Sequence, residues 1–516
     1  GDNGSVGGNT EEGTSADGAI ADGTDETSVR ANLRVFQKAL ATADSRSTDV
    51  KRDVANAITG YANKVMGAYP DTDDSATLRA MDDFMWLFIS VMTRCGGMRF
   101  GRLAELASCV FNTEYRLFMR QGERPSAEQT ARLQVAFYMV CSMTEYAFRE
   151  TVNAGADNGD SNLSERVLGQ LRLMKSLNLA DTLTVQGYAL VYHCLAYLCE
   201  QRHDMKGMMF YNKQHEYATC EAWRLNPTDF EAARRHAAAV DETGRLFYMV
   251  CGNMKEAKLC FTKANTMFEE LYGRRKDGTI LNDIVLSSYN IINILNSEGR
   301  YDELCAKAEQ TLALADGQRG NPELDLAIVA AVSESLGHAL VKLGRNGEAE
   351  RWLDEARDVY TENLRRNPDD EKRMRDLAIC IMRQVEHRLA KGCNADEALA
   401  LVDKAELLLK KALEIVPDSP KVARNYIGVL NTKMRIHLFM RDFKNTEAAL
   451  TLFEQLTLEH IVATRDTSLM PLMFSCYDTF VDTAAQAGWT QMANALLQVR
   501  QNAADRLVEE RLMKAE

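Results

Sequence analysis

Apolar residues return every three or four positions along most of this chain, the spacing of helices with one buried face. Leu33, Phe36 and Leu40 form the first stripe, followed by Val54, Ile58, Tyr61 and Val65. Met81 to Met92 reads as a strongly apolar helix, and Leu103, Leu106, Val110 and Leu117 line up over Arg102 to Met119. A long helix follows over residues 127–152 and ends in the loop from Asn153 to Asn162. Pro70 and Pro125 interrupt the stripes, where a residue without an amide hydrogen belongs.

From Leu336 to Ala356 the pattern tightens into a helix hairpin. Leu336, Gly337 and Leu340 share a face, Gly344 stops the first helix, and Ala349, Leu353 and Ala356 recur at i, i+4 and i+7 on the second. Glycine suits the left-handed residue that closes a helix, and small residues let two helices approach. Comparable turns fall at His203, Gly252, Gly299, Gly344, Gly392, Arg441 and Gly488, spaced 45 to 49 residues apart. The helices after them echo one another, as in Met254 to Ala264, Tyr301 to Leu312, Asp396 to Ala405 and Thr446 to Leu456. Pro227, Pro322, Pro368, Pro417 and Pro471 mark the handovers between hairpins. A period in this range predicts stacked helix pairs: an all-α solenoid of about ten antiparallel hairpins, some twenty helices. Three segments follow. Residues 1–28 form an acidic, Gly-rich tail without a packed structure, 29–180 carry degenerate hairpins, and 181–516 carry the clear repeats.

Over Asp241 to Ala264, Ser288 to Leu312 and Ser333 to Ala356 the pattern resembles the tetratricopeptide repeat (TPR), with a repeat about a dozen residues longer than the usual ~34. The resemblance implies an α-α superhelix whose first helices line a concave face that holds a peptide or a partner segment. Carried over by distance from each turn, that face receives Tyr289, Asn290, Asn293 and Asn296 before Gly299, and Glu334, Ser335 and His338 before Gly344. Arg383 and Glu386 follow before Gly392, then Asn431 and Arg435 before Arg441. Asparagine is a poor helix former, so the three set among Ile291, Ile292, Ile294 and Leu295 draw notice. Their carboxamides could bond the backbone of an extended peptide. The ordinary polar face of an amphipathic helix accounts for the same residues without a ligand.

Composition narrows the functional classes. With 516 residues, 46% of them apolar, the chain has ample material for a core. A formal charge of −13 argues against a dedicated nucleic-acid binder, which needs a basic stripe. The basic groups Arg274, Arg275 and Lys276, and Lys372, Arg373 and Arg375, read as solvated loops and faces. Twelve cysteines without a C-x-x-C pair point to free thiols in a reducing, cytoplasmic setting. The longest apolar run, Phe84 to Met92, is too short for membrane insertion. The chain starts with Gly rather than Met, so a processed or truncated start fits as well as an intact one.

No motif requires catalysis, a cofactor or a metal. Gly96, Gly97 and Gly101 lack the Lys and Ser/Thr of a phosphate loop and read as a turn between helices. Cys194, Cys199, His203, His215 and Cys220 lack the tight paired spacing of a zinc site. His338, four residues after Glu334, reads as half of a surface pair. The chain is therefore expected to be a non-catalytic scaffold for a protein or peptide partner. The alternatives are the sensor or docking region of a larger signalling protein, and an α/α-toroid carbohydrate-active enzyme, which four Trp supply poorly.

Overall fold

The computed structural model describes residues 21–43, 48–95, 98–153 and 161–513. Among them are twenty α-helices and one 3-10 turn. Contacts gather the helices into two compact units, one ending at Asn253 and the other starting at Met254.

The first unit contains α1 (Glu26–Ala43), α2 (Thr48–Ala68), α3 (Ser75–Cys95), α4 (Phe100–Arg120), α5 (Ala127–Asn153), α6 (Ser161–Ser176), α7 (Thr182–Gln201), α8 (Met205–Leu225) and α9 (Phe230–Met249). Within it α5 packs directly on α7. The ring centroid of Phe137 lies 5.6 Å from that of Tyr188. A Cβ on Gly187 would come within 2.8 Å of the Phe137 ring, so this approach requires glycine. Deeper in the unit, Tyr69 donates to Asp82 at 2.6 Å, Gln129 donates to Glu114 at 2.8 Å, and Arg132 pairs with Glu114 at 2.8 Å.

The expected tail lies mostly outside the described residues, and its end is structured. Helix α1 begins at Glu26, Asn32 exchanges two hydrogen bonds with the backbone of Ala21 at 2.9 Å, and Tyr61 donates to the Gly23 carbonyl at 2.8 Å. Gly96 and Gly97, between α3 and α4, also lie outside the described residues.

The second unit contains α10 (Met254–Arg274), α11 (Gly278–Ser297), α12 (Tyr301–Asp316), α13 (Leu326–Lys342), α14 (Asn346–Arg366), α15 (Glu371–Ala390), α16 (Ala395–Ile415), α17 (Pro420–Phe439), α18 (Phe443–Thr464), the turn Thr467–Leu469, α19 (Met470–Gln486) and α20 (Thr490–Glu509). Consecutive helices pack as antiparallel pairs, the fold class the period predicts.

All seven anticipated turn residues adopt positive φ, between 56° and 78°. At Gly344 the amide of Arg345 donates to the Leu340 carbonyl at 2.8 Å and that of Gly344 to Val341 at 3.0 Å, closing α13 in a Schellman turn. Asp325 caps α13 and Ser419 caps α17, where Pro420 occupies the first turn. Within the α13/α14 hairpin a Cβ on Gly337 would meet Leu353 at 2.7 Å. Ala349, Leu353 and Ala356 are essentially fully buried against that seam.

Candidate functional site

In the second unit the anticipated residues occupy fixed steps before each turn. Tyr289, Glu334 and Asn431 lie ten residues before Gly299, Gly344 and Arg441, and Asn290, Ser335 and Arg383 lie nine before their turns. Asn293, His338, Glu386 and Arg435 lie six before.

Equivalent steps on successive first helices touch. His338 Nδ1 on α13 lies 3.3 Å from Glu386 Oε2 on α15. Arg383 reaches back to Glu334 at 3.8 Å and along its own helix to Glu386 at 3.4 Å. Tyr360 on α14 donates to Glu334 at 3.3 Å, and Tyr301 on α12 meets the His338 ring edge-on, 6.3 Å between centroids. Glu334, His338, Arg383 and Glu386 are thus one connected cluster. The surface pair anticipated between His338 and Glu334 does not form: His338 is buried and turns to Glu386 on the next hairpin.

Burial pushes the Glu334 carboxyl up to about 7, against the pull of Arg383 and Tyr360. Burial also raises Glu386, but His338 and Arg383 outweigh it and hold that carboxyl below its ordinary value.

Of the remaining residues, Tyr289 is felt electrostatically by Tyr360 of the cluster. Tyr289, Asn290 and Asn293 are half-buried on α11. Asn296 has a buried Oδ1 without a hydrogen-bond partner among the described residues. Ser335 donates to the Ala331 carbonyl of its own helix at 2.8 Å. Asn431 is half-buried and Arg435 is exposed, its charge felt by Cys476 on α19.

A second constellation, in the first unit, was not anticipated. Helices α5, α7 and α9, with α8 beneath them, enclose adjoining cavities of about 380 and 270 Å³ that share His193 in their walls. The larger is lined by Glu145, Tyr146 and Arg149 of α5, Gln186 of α7, His215 of α8 and Arg235 of α9, over a floor that includes Ala189, Ala222 and Ala232. The smaller is lined by Tyr197 and Glu200 of α7, Asn212 of α8, and Glu242 and Arg245 of α9. Arg149 pairs with Glu145 at 2.5 Å, while Arg245 is shared between Glu242 at 2.6 Å and Glu200 at 3.3 Å. Arg235 has no ion-pair partner among the described residues.

The His215 and His193 rings lie 5.1 Å apart. His215 Nδ1 donates to the Ala189 carbonyl at 2.9 Å, and burial, reinforced by His193, holds its pKa down to about 4. It is therefore neutral near pH 7.

The signal for this cleft was present in the turn register. His193 and Glu242 lie ten residues before His203 and Gly252, the step that Glu334 occupies before Gly344. No group of three or more His, Cys, Asp or Glu is arranged to hold a metal ion among the described residues.

No family model matches the chain, and no curated protein matches it. Solved structures are similar at low identity. The apo form of RapI aligns with 12% identity and a TM-score of 0.43, over 88% of this chain and 98% of its own. PilF of Pseudomonas aeruginosa aligns with 16% identity and a TM-score of 0.28, over 54% and 96%. YrrB, described as a TPR protein with an unusual peptide-binding site, aligns with 14% identity and a TM-score of 0.23, over 49% and 96%. Likenesses this distant say nothing of ligand or partner. From its own hairpins and turns, the chain is an all-α, TPR-like helical-repeat protein.

Proposed function

We propose that this protein is a non-catalytic scaffold whose first-helix face in the second unit holds an extended segment of a partner protein. The reading is supported chiefly by contacts across hairpins, His338 with Glu386 at the same step before their turns and Glu334 with Arg383 at neighbouring steps. Those contacts set polar groups in a row along adjacent first helices, which suits a ligand lying across them. The half-buried Asn290 and Asn293 continue the same steps on α11 and offer both donors and acceptors to a peptide backbone.

Nucleic acid is not the ligand under this reading, because the net charge is −13 and the cationic Arg383 is already engaged by carboxylates. No helix among the described residues is long and apolar enough to cross a membrane. We place the protein in the cytoplasm on its eleven described free cysteines.

The test is affinity capture with the wild-type chain and the Asn290→Ala/Asn293→Ala variant side by side. A partner retained by the wild type and lost with the variant supports the face. Equal retention by both removes it.

A further inference from the structure

The cleft of the first unit has a charge pattern that specifies its occupant. Its larger cavity is lined by two cations and one anion, Arg149, Arg235 and Glu145. Its smaller cavity is lined by two anions and one cation, Glu200, Glu242 and Arg245. His193 lines both cavities, and His215, in the wall of the larger one, adds no charge near neutral pH. One end therefore carries an excess positive charge and the other an excess negative charge. The unpaired group at the positive end is Arg235, exposed on α9.

The spacing of the two ends follows from helix geometry. Arg235 and Glu242 are seven residues apart on α9, about 10 Å along the axis. A chain in the extended polyproline II conformation covers that distance in about three residues at ~3.1 Å each, and its three residues per turn put side chains three apart on one face. The alanine floor leaves room for side chains to enter, and Gln186 offers an amide to a backbone passing over it.

We propose that this cleft binds an extended peptide segment carrying an acidic and a basic side chain about three residues apart. The acidic side chain sits at Arg149 and Arg235, and the basic one at Glu200 and Glu242. The site stands apart from the face in the second unit and does not depend on it. An oxyanion on a small molecule would satisfy only the positive end and leave the negative end unpaired, so a bipolar peptide fits better.

The test titrates the full chain, at low salt, with acetyl-Thr-Glu-Thr-Thr-Lys-Thr-amide and with the peptide in which Glu and Lys exchange places. A version with Gln at both positions is the neutral control. One order should bind at least tenfold more tightly than the control, with succinate much weaker than the peptide. Arg235→Glu should reduce that binding tenfold or more and gain affinity for the peptide with Lys at both positions. The gain keeps the result independent of any loss from misfolding, and circular dichroism checks the fold. Arg383→Ala, in the other unit, should leave the affinity unchanged, which separates this site from the second-unit face. Equal binding of all peptides, or unchanged binding by Arg235→Glu, would overturn the proposal. Succinate binding as tightly as the peptide would replace it with a small-anion site.

Discussion

Glu334 links the fold to pH. Its carboxyl titrates near 7 in the folded chain, against an ordinary value of 4.5. Between those values the folded state holds a proton that the unfolded chain has released. Unfolding free energy therefore falls as pH rises through this window, and Glu334 alone accounts for a loss of about 3 kcal/mol. Asp82, raised well above its ordinary value by burial and by Glu114, acts in the same direction. Glu334→Gln should flatten the fall between pH 5 and pH 8, measured by urea unfolding of the second-unit signal. An unchanged slope would show that another group carries it.

Steric limits at single residues make a second prediction. Gly337→Val should destabilise by about 2 kcal/mol or more, since Leu353 already lies where the Cβ would go. His203 holds a positive φ of 56° without the freedom of glycine, so His203→Gly should raise the melting temperature slightly. At this scale the sequence was informative about backbone and uninformative about pairing. The turn residues were visible because a helix must stop at a fixed interval, and even His203 and Arg441 fell in step. The partner of His338 was not visible. Four residues along its own helix lay one carboxylate, and one hairpin away lay the carboxylate it actually meets.

Between elements, polar groups join the hairpins as firmly as apolar ones do. Asn265 on α10 is buried, and its amide reaches the Ile284 carbonyl at 3.1 Å, Ser287 at 2.7 Å and Ser288 at 2.9 Å on α11. Its carbonyl accepts from Lys307 of α12 at 2.7 Å. Burial already lowers the Lys307 pKa, so the ammonium depends on that bond and on Glu269. Asn265→Ala should therefore cost about 2 to 3 kcal/mol, more than the loss of one surface amide. A change under 0.5 kcal/mol in denaturant unfolding would show that water replaces the side chain. Periodicity located α10, α11 and α12 but could not reveal this network, because helical spacing places Asn265 on the buried stripe between Phe261 and Phe268 without saying what its amide meets. The cleft under α5, α7 and α9 was missed for a related reason. Repeat resemblance fades before residue 180, and His193 and Glu242 are marked only by their distance from the turns at His203 and Gly252.

On the scale of the molecule, each hairpin of a stacked repeat is stabilised mainly by its neighbours. The α13/α14 hairpin has packed neighbours on both sides, α12 and α15, whereas α19/α20 has α18 on one side alone among the described residues. Amide exchange should be slower in α13 and α14 than in α19 and α20, read by mass spectrometry of peptic fragments. The all-α architecture and the number of helices follow directly from a period of 45 to 49 residues. The grouping into units that meet near Asn253 along the sequence is not encoded in that repeat length.

The claim that the first helices of the second unit form a partner-binding face is tested most directly by site-specific photocrosslinking. A benzophenone amino acid is placed singly at Asn290, Ser335 and Arg383, all nine residues before a turn, and at the exposed Glu303, Glu348 and Glu397 on second helices. The same partner should crosslink at the three first-helix sites and at none of the second-helix sites. Crosslinks confined to the second helices, or spread equally over both sets, would contradict the account.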